Sequence, residues 1–183
     1  MNQQQQIEAK MSNTVTHESA SNSPVTTPPA TTGFLSFQLG SVEYGIDILK
    51  VQEIRGFEKS TRMFNAPPFI LGVLNMRGNI VPILDMRIKL GMTDVHYNNH
   101  TVTIVLNVAH RVVGMVVDAV QDVVELVASD IKPAPDLNGA VNTQHIIGIA
   151  TINQADQQRM LVLLDIEKLM TSADMGLVAE THA

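Results

Sequence analysis

Two aspartates recur in matching surroundings, Ile83-Leu84-Asp85-Met86 and Leu163-Leu164-Asp165-Ile166. Paired carboxylates can share a proton and perform general acid–base hydrolysis. The aspartic-protease turn needs Asp followed by Thr or Ser and then Gly. Here Asp85 is followed by Met86-Arg87 and Asp165 by Ile166-Glu167. Each aspartate opens a helical period, so the reading favoured for both is an N-cap. An aspartate-dependent hydrolase stays as a distant alternative. His96 and His100 stand four apart, but among Asn and Tyr in a loop, whereas a metal pair at that spacing needs a helix to face one way. His110 falls in a turn, His145 begins a strand, and His17 lies near the N-terminus. There is no Cys, no serine stands out as a nucleophile, and no Gly-rich phosphate loop leads from a strand into a helix. No catalytic residue, metal site or cofactor is expected, which leaves a non-catalytic binding module.

The remaining chemical group of interest is Arg77. It sits in Asn75-Met76-Arg77-Gly78-Asn79, between the apolar runs Phe69–Leu74 and Ile80–Leu84. Apolar, β-branched runs around an Asn/Gly hinge predict a β-hairpin. Gly78 is the residue best suited to positive φ, and Arg77 is held at a rigid corner.

The elements that must position this corner read as mainly β. Phe34–Leu39 and Val42–Ile46 form strands around Gly40-Ser41, and a helical turn covers Asp47–Val51. A strand runs over Gln52–Arg55 and ends at Gly56. Residues 57–68 form an irregular connection, because Pro67 and Pro68 cannot donate to a ladder. After the Arg77 hairpin, Asp85 caps a short helix that Gly91 closes, and residues 92–100 form a polar loop. Strands follow at Thr101–Leu106 and Val112–Val117, with a turn over Asn107–Arg111. The β-branched run Val120–Leu126 continues them, and a stiff Pro-rich connection covers Ile131–Leu137. Strands at Ile146–Ile149 and Met160–Leu164 flank the polar stretch Asn153–Arg159, and the chain closes with a helix from Asp165 through Ile166, Leu169, Met170 and Met175.

Residues 1–32 are rich in Gln, Ser, Thr and Pro and are expected to be a disordered tail. The folded domain is assigned to 33–177 and a C-terminal tail to 178–183. A 45% hydrophobic fraction predicts a real core, built from aliphatic residues because aromatics are only 4%. The net charge of −6, with 12 scattered basic residues, argues against nucleic acid and anionic membrane as main partners. No apolar run approaches the ~20 residues of a membrane span, and no secretory signal opens the chain, so a soluble cytoplasmic protein is expected.

The chain also repeats itself once. Gly45-Ile46 matches Gly114-Met115, Val51–Ile54 matches Val120–Val123, Leu71–Val73 matches Ile147–Ile149, and Ile83–Met86 matches Leu163–Ile166. The order is preserved, so two copies of a small β unit are expected, each of about five strands in a closed or nearly closed barrel. At the hairpin the copies differ: Asn75-Met76-Arg77-Gly78 faces Thr151-Ile152-Asn153-Gln154, which has neither Arg nor Gly.

Val51-Gln-Glu-Ile54, Gly72-Val-Leu-Asn-Met-Arg-Gly78, Val81-Pro-Ile-Leu-Asp-Met-Arg87 and Val113-Gly-Met-Val-Val-Asp118 together resemble the CheW family of bacterial chemotaxis coupling proteins. The likeness spans residues 34–177, and the stand-alone form, without a receiver or kinase domain, is expected. The resemblance implies two intertwined SH3-like five-stranded β-barrels and a non-enzymatic adaptor. Its implied partners are the cytoplasmic tip of chemoreceptors and the regulatory domain of the histidine kinase CheA, in arrays at the membrane. It implies receptor coupling by Arg77, paired with Glu53, beside a groove lined by Val51, Gly72, Val102, Gly114, Val120 and Val123. It implies a kinase contact at Lys132, Asp136 and Leu137, the Lys and Leu departing from commoner residues there. By pattern alone Val51, Val120 and Val123 read as core. A paralogue in another chemosensory pathway, such as surface motility, is the nearer alternative.

Overall fold

The computed structural model describes residues 28–135, 143–154 and 157–172. Eleven strands run in the order β1 (Thr31–Leu39), β2 (Val42–Asp47), β3 (Val51–Gly56), β4 (Ile70–Met76), β5 (Asn79–Asp85), β6 (Val102–Val108), β7 (Arg111–Val117), β8 (Ala119–Val127), β9 (Ile131–Lys132), β10 (Ile146–Gln154) and β11 (Gln157–Leu164). Two short helices, α1 (Met86–Lys89) and α2 (Ile166–Thr171), follow β5 and β11. Two 3-10 turns, Ile48–Lys50 and Ala128–Asp130, enter β3 and β9.

The strands form two curled sheets, β3-β6-β7-β5-β4 and β8-β1-β2-β11-β10-β9. Superposing the internal repeat on these orders explains them. The hairpin β1–β2 corresponds to β6–β7, β3 to β8, β4 to β10 and β5 to β11. Each sheet therefore takes its hairpin from one copy and its other principal strands from the other copy. That exchange is what intertwines the two SH3-like barrels. The parallel contacts that stitch the copies together also correspond: Ile83 opposes Gly114, and Leu163 opposes Gly45. At both places glycine makes room, since a Cβ on Gly114 would lie 2.4 Å from Ile83 Cδ1 and one on Gly45 2.9 Å from Leu163 Cδ2.

The second sheet has six strands where five were expected. The extra strand β9 is only two residues long and pairs with Ile149 and Ala150. The first sheet has its rudiment, a single bridge between Thr61 and Val73. Other boundaries shift because backbone pairing does not require apolar side chains. β1 starts at Thr31, three residues before Phe34, as Thr31–Gly33 pair with Val127–Glu125. β10 and β11 continue through polar residues to the pair Gln154–Gln157. The β6–β7 turn tightens from five residues to two, Ala109-His110, both at positive φ.

Three apolar clusters hold the chain together. One lies within each sheet: Met76, Val81, Ile83, Val105 and Val116 in the first, and Phe34, Leu126, Ala150, Leu161 and Leu163 in the second. The largest lies between them, joining Leu35, Phe37 and Ile46 to Leu106, Met115 and Leu84, with Ile166, Leu169 and Met170 of α2 closing it. Both helices begin as the sequence predicts. Asp85 Oδ1 accepts from Arg87 N at 3.0 Å, and Asp165 Oδ1 from Lys168 N at 3.0 Å. α1 ends in a Schellman motif: Met92 N donates to Arg87 O, Gly91 N donates to Ile88 O, and Gly91 has φ +80°.

Candidate docking surface

Arg77 and Gly78 are the whole of the β4–β5 turn. Their φ values are +53° and +88°, the pair of positive angles that a two-residue hairpin turn requires. Gly78 adopts this freely; Arg77 is held in it by its neighbours. Met76 is buried in the first sheet's cluster, and Asn75 Oδ1 accepts from Gly78 N at 2.9 Å. The guanidinium projects outward with 79% of its side chain exposed. Its Nη2 lies 3.2 Å from Glu53 Oε2. Glu53 is on β3, at the opposite edge of the sheet from β4, so this pair spans the closure of the barrel. A register shift between Val51 and Glu53 bulges β3 at this point and aims the carboxylate.

The other positions expected to line a groove fall into three environments. Val51, Val102 and Val120 are partly buried against the cluster between the barrels. Val123 is 54% exposed and lies beside Gly33 and Ile48. Gly72 and Gly114 are buried by close approach: a Cβ on Gly72 would lie 2.0 Å from Thr61 O. Val51 on β3 and Val120 on β8 are repeat equivalents that meet the same central cluster from different sheets. Lys132 is exposed on β9, its Nζ 3.3 Å from Ser129 O. Asp136 and Leu137 lie outside the described residues.

The second copy contains a counterpart that the residue alignment hides. Asp122 occupies the position of Glu53 and pairs with Arg159 Nη2 at 3.1 Å. Arg159 also lies 3.3 Å from Glu43, and Ser36 Oγ donates to Asp122 at 2.6 Å. The Ser36 hydrogen bond, and then Arg159, hold the Asp122 carboxyl below its ordinary pKa, while partial burial opposes them. Arg159 aligns with Asn79, Glu43 with Val112 and Ser36 with Val105. The second barrel thus carries an arginine tied between two carboxylates. The first has two valines and an uncharged Asn there and supplies the arginine from the turn, on the rim.

A second polar cluster went unread in the sequence. Arg87 is 1% exposed, and its Nε and Nη2 donate to Asp85 Oδ1 and Oδ2 at 2.9 and 2.7 Å. Its Nη1 donates to Asp118 Oδ1 and to His96 O, each at 2.8 Å. Tyr97 Oη donates to Asp85 Oδ2 at 2.9 Å, its ring lies under the guanidinium at 4.8 Å, and Phe57 stacks on its other side. Burial works against the charge on Arg87, but the bonds to Asp85 and then Asp118 outweigh it and raise the pKa above the ordinary arginine value. An arginine inside Ile83-Leu-Asp-Met-Arg-Ile88 was the available signal, since a charge in an apolar run needs a partner nearby. Asp85 is committed to this network and to α1, and Asp165 to α2, so the carboxylates proposed for hydrolysis each serve their own helix. His96 is exposed beside Asp94, and His100 is exposed. Among the described residues, no three His, Cys, Asp or Glu cluster as metal ligands, and no helix is long and apolar enough to cross a membrane.

Two interlocked barrels with a charged, exposed hairpin corner and committed carboxylates define a docking module. Residues 33–174 match the CheW-like domain family. The chemotaxis protein CheW of Klebsiella aerogenes is 52% identical over 152 residues, covering 81% of this chain and 89% of that protein. FrzA of Myxococcus xanthus is 28% identical over 146 residues, covering 80% and 89%. The crystal structure of the scaffolding protein TtCheW from Thermoanaerobacter tengcongensis superposes with a TM-score of 0.69 at 26% identity, covering 79% of this chain and 91% of that one. This chain belongs to the CheW-like family.

Proposed function

We propose that this chain is a non-enzymatic adaptor that couples chemoreceptors to the histidine kinase CheA in cytoplasmic arrays at the membrane. The observation that carries the proposal is Arg77: a guanidinium 79% exposed, on a turn too short to flex, steered by Glu53 at 3.2 Å. An exposed ion pair of this kind contributes only ~0–1 kcal/mol to folding. Its value lies in orienting a cation for a partner. The receptor tip, a helical hairpin, docks with its polar side on Arg77 and its apolar side along the groove of Val51, Val102, Val120 and Val123, while the buried Gly72 and Gly114 let the strands that carry the groove pack closely. Lys132, Asp136 and Leu137 contact the kinase regulatory domain. A groove smaller than the ~800 Å² per side of a standard interface makes each contact weak alone. Simultaneous engagement of receptor and kinase raises the effective affinity by roughly 10²–10⁴. The 52% identity to a CheW, against 28% to FrzA, favours the chemotaxis pathway over another chemosensory system.

The test is co-sedimentation with receptor-bearing membranes and CheA. Arg77→Glu is expected to keep the fold but lose receptor-dependent sedimentation and kinase activation. Normal activation by this variant would overturn the role given to the turn.

A further inference from the structure

β5 and β7 lie side by side and parallel, yet they pair only through Ile83–Asp85 and Gly114–Val116. Toward the turns the two strands are no longer paired, and a half-open cavity of about 420 Å³ lies between them, lined by Ile80, Val81, Pro82, Val112 and Val113 with Asn79 and Arg111 as its polar members. That volume is within the ~300–1,000 Å³ of binding clefts. Ile80 is 65% exposed at it, a large aliphatic side chain that the fold leaves without cover.

The repeat shows that the opening is particular to this barrel. In the other sheet the equivalent strands stay paired further toward the turn, through Leu161–Glu43 and Val162–Tyr44. Pro82 stands where that sheet has Val162. In a hairpin closed by a two-residue turn, pairs alternate between hydrogen-bonded and not, counting from Met76–Asn79. The Val73–Pro82 pair is of the second kind, so the nitrogen of residue 82 faces β7. Proline has no hydrogen to donate there. The donor that zips β11 to β2 is missing from β5. The place of the Glu43–Arg159 ion pair is taken by Val112 and Asn79, so the gap is not closed by an ion pair, and its lining is mostly apolar.

We propose that this gap is a second anchor of the docking surface and takes an apolar side chain from an acidic, amphipathic helix, the helix whose carboxylate Arg77 receives. Arg77 is two residues from Asn79 in the lining, and Arg111 is in the lining as well, so cations flank a mostly apolar cavity. A helix with a carboxylate one turn from an aliphatic residue complements both features. The cavity borders the β4–β5 turn through Asn79, and the proposal rests on the receptor-docking reading above, adding to it the subsite that selects the partner's apolar residue.

The experiment compares four variants of the full chain for binding to receptor-bearing membranes and, separately, to the CheA regulatory domain. Ile80→Ser removes an exposed side chain, and Pro82→Val restores the missing donor and narrows the gap. Ile147→Ser, 47% exposed on the other sheet, controls for loss of apolar surface in general, and Arg77→Glu tests the corner. Ile80→Ser and Pro82→Val are each expected to weaken receptor binding roughly ten-fold while kinase binding and the urea midpoint hold, and Ile147→Ser to leave receptor binding unchanged. Wild-type receptor binding by both gap variants would overturn the proposal. If Arg77→Glu still loses binding in that case, the docking reading survives and only the gap falls; if Arg77→Glu also binds normally, both fall. Loss of kinase binding in place of receptor binding by Ile80→Ser would likewise overturn the assignment.

Discussion

Arg87 and Arg77 lie ten residues apart and have opposite fates. Arg87 is sealed between Asp85 and Asp118, and Arg77 stands in solvent on a turn. Removing one member of a buried pair leaves an uncompensated charge. Arg87→Met is therefore expected to cost about 3–5 kcal/mol in urea unfolding, and Asp85→Leu/Arg87→Met to recover part of that loss. Asp122 makes a pH prediction. Its folded pKa is held below the 3.8 of an ordinary aspartate, so its contribution is complete above that value and is lost as pH falls through and below it. Asp122→Asn should flatten the decline of stability below about pH 4 and leave neutral pH less changed in slope, as followed by thermal melts across pH.

At the scale of elements, turns and struts decide the geometry. The β6–β7 turn holds Ala109 and His110 at φ +48° and +61°, angles that favour Asn and Gly. Ala109→Asn/His110→Gly should stabilise the chain by about 1 kcal/mol, read from the urea midpoint. The helices are tied by charge-reversed struts. Arg87 of α1 reaches Asp118, which enters β8, and Glu167 of α2 reaches Lys50, which enters β3, at 2.5 Å. Asp118 also accepts from Gly40 N at 2.7 Å, so one carboxylate links α1, the β1–β2 turn and the β7–β8 junction. Glu167→Lys should lower the melting temperature, and adding Lys50→Glu should restore it.

For the whole molecule, hairpin exchange means that neither copy can complete its own sheet. A fragment ending within residues 92–100 has β1 and β2 without β8 and β11, and β5 without β7. The two halves are expected to be unfolded alone and to regain near-native circular dichroism when mixed. The central cluster, drawn from both sheets, predicts one cooperative transition with coincident spectroscopic probes in the intact chain.

The sequence by itself determined the ten principal strands, the Arg77-Gly78 corner, both helix caps and the twofold repeat, but not the two-residue β9. Those features are set by neighbours within a few residues, through turn angles, side-chain alternation and capping bonds. Family motifs supplied the intertwined barrels and the Glu53–Arg77 pairing, which spacing alone does not give. Only the tertiary structure decided that Arg87 is buried, that Arg159 completes a clasp with Asp122, and that Pro82 leaves a gap where the other barrel is zipped. Each depends on strands brought together across 31 to 80 or more residues. In a repeated chain, the two copies offer nearly equivalent pairing edges, and local signals cannot say which copy supplies the neighbour. The packing of the core between the barrels makes that choice, and with it fixes which arginine is spent inside and which is left to meet a partner.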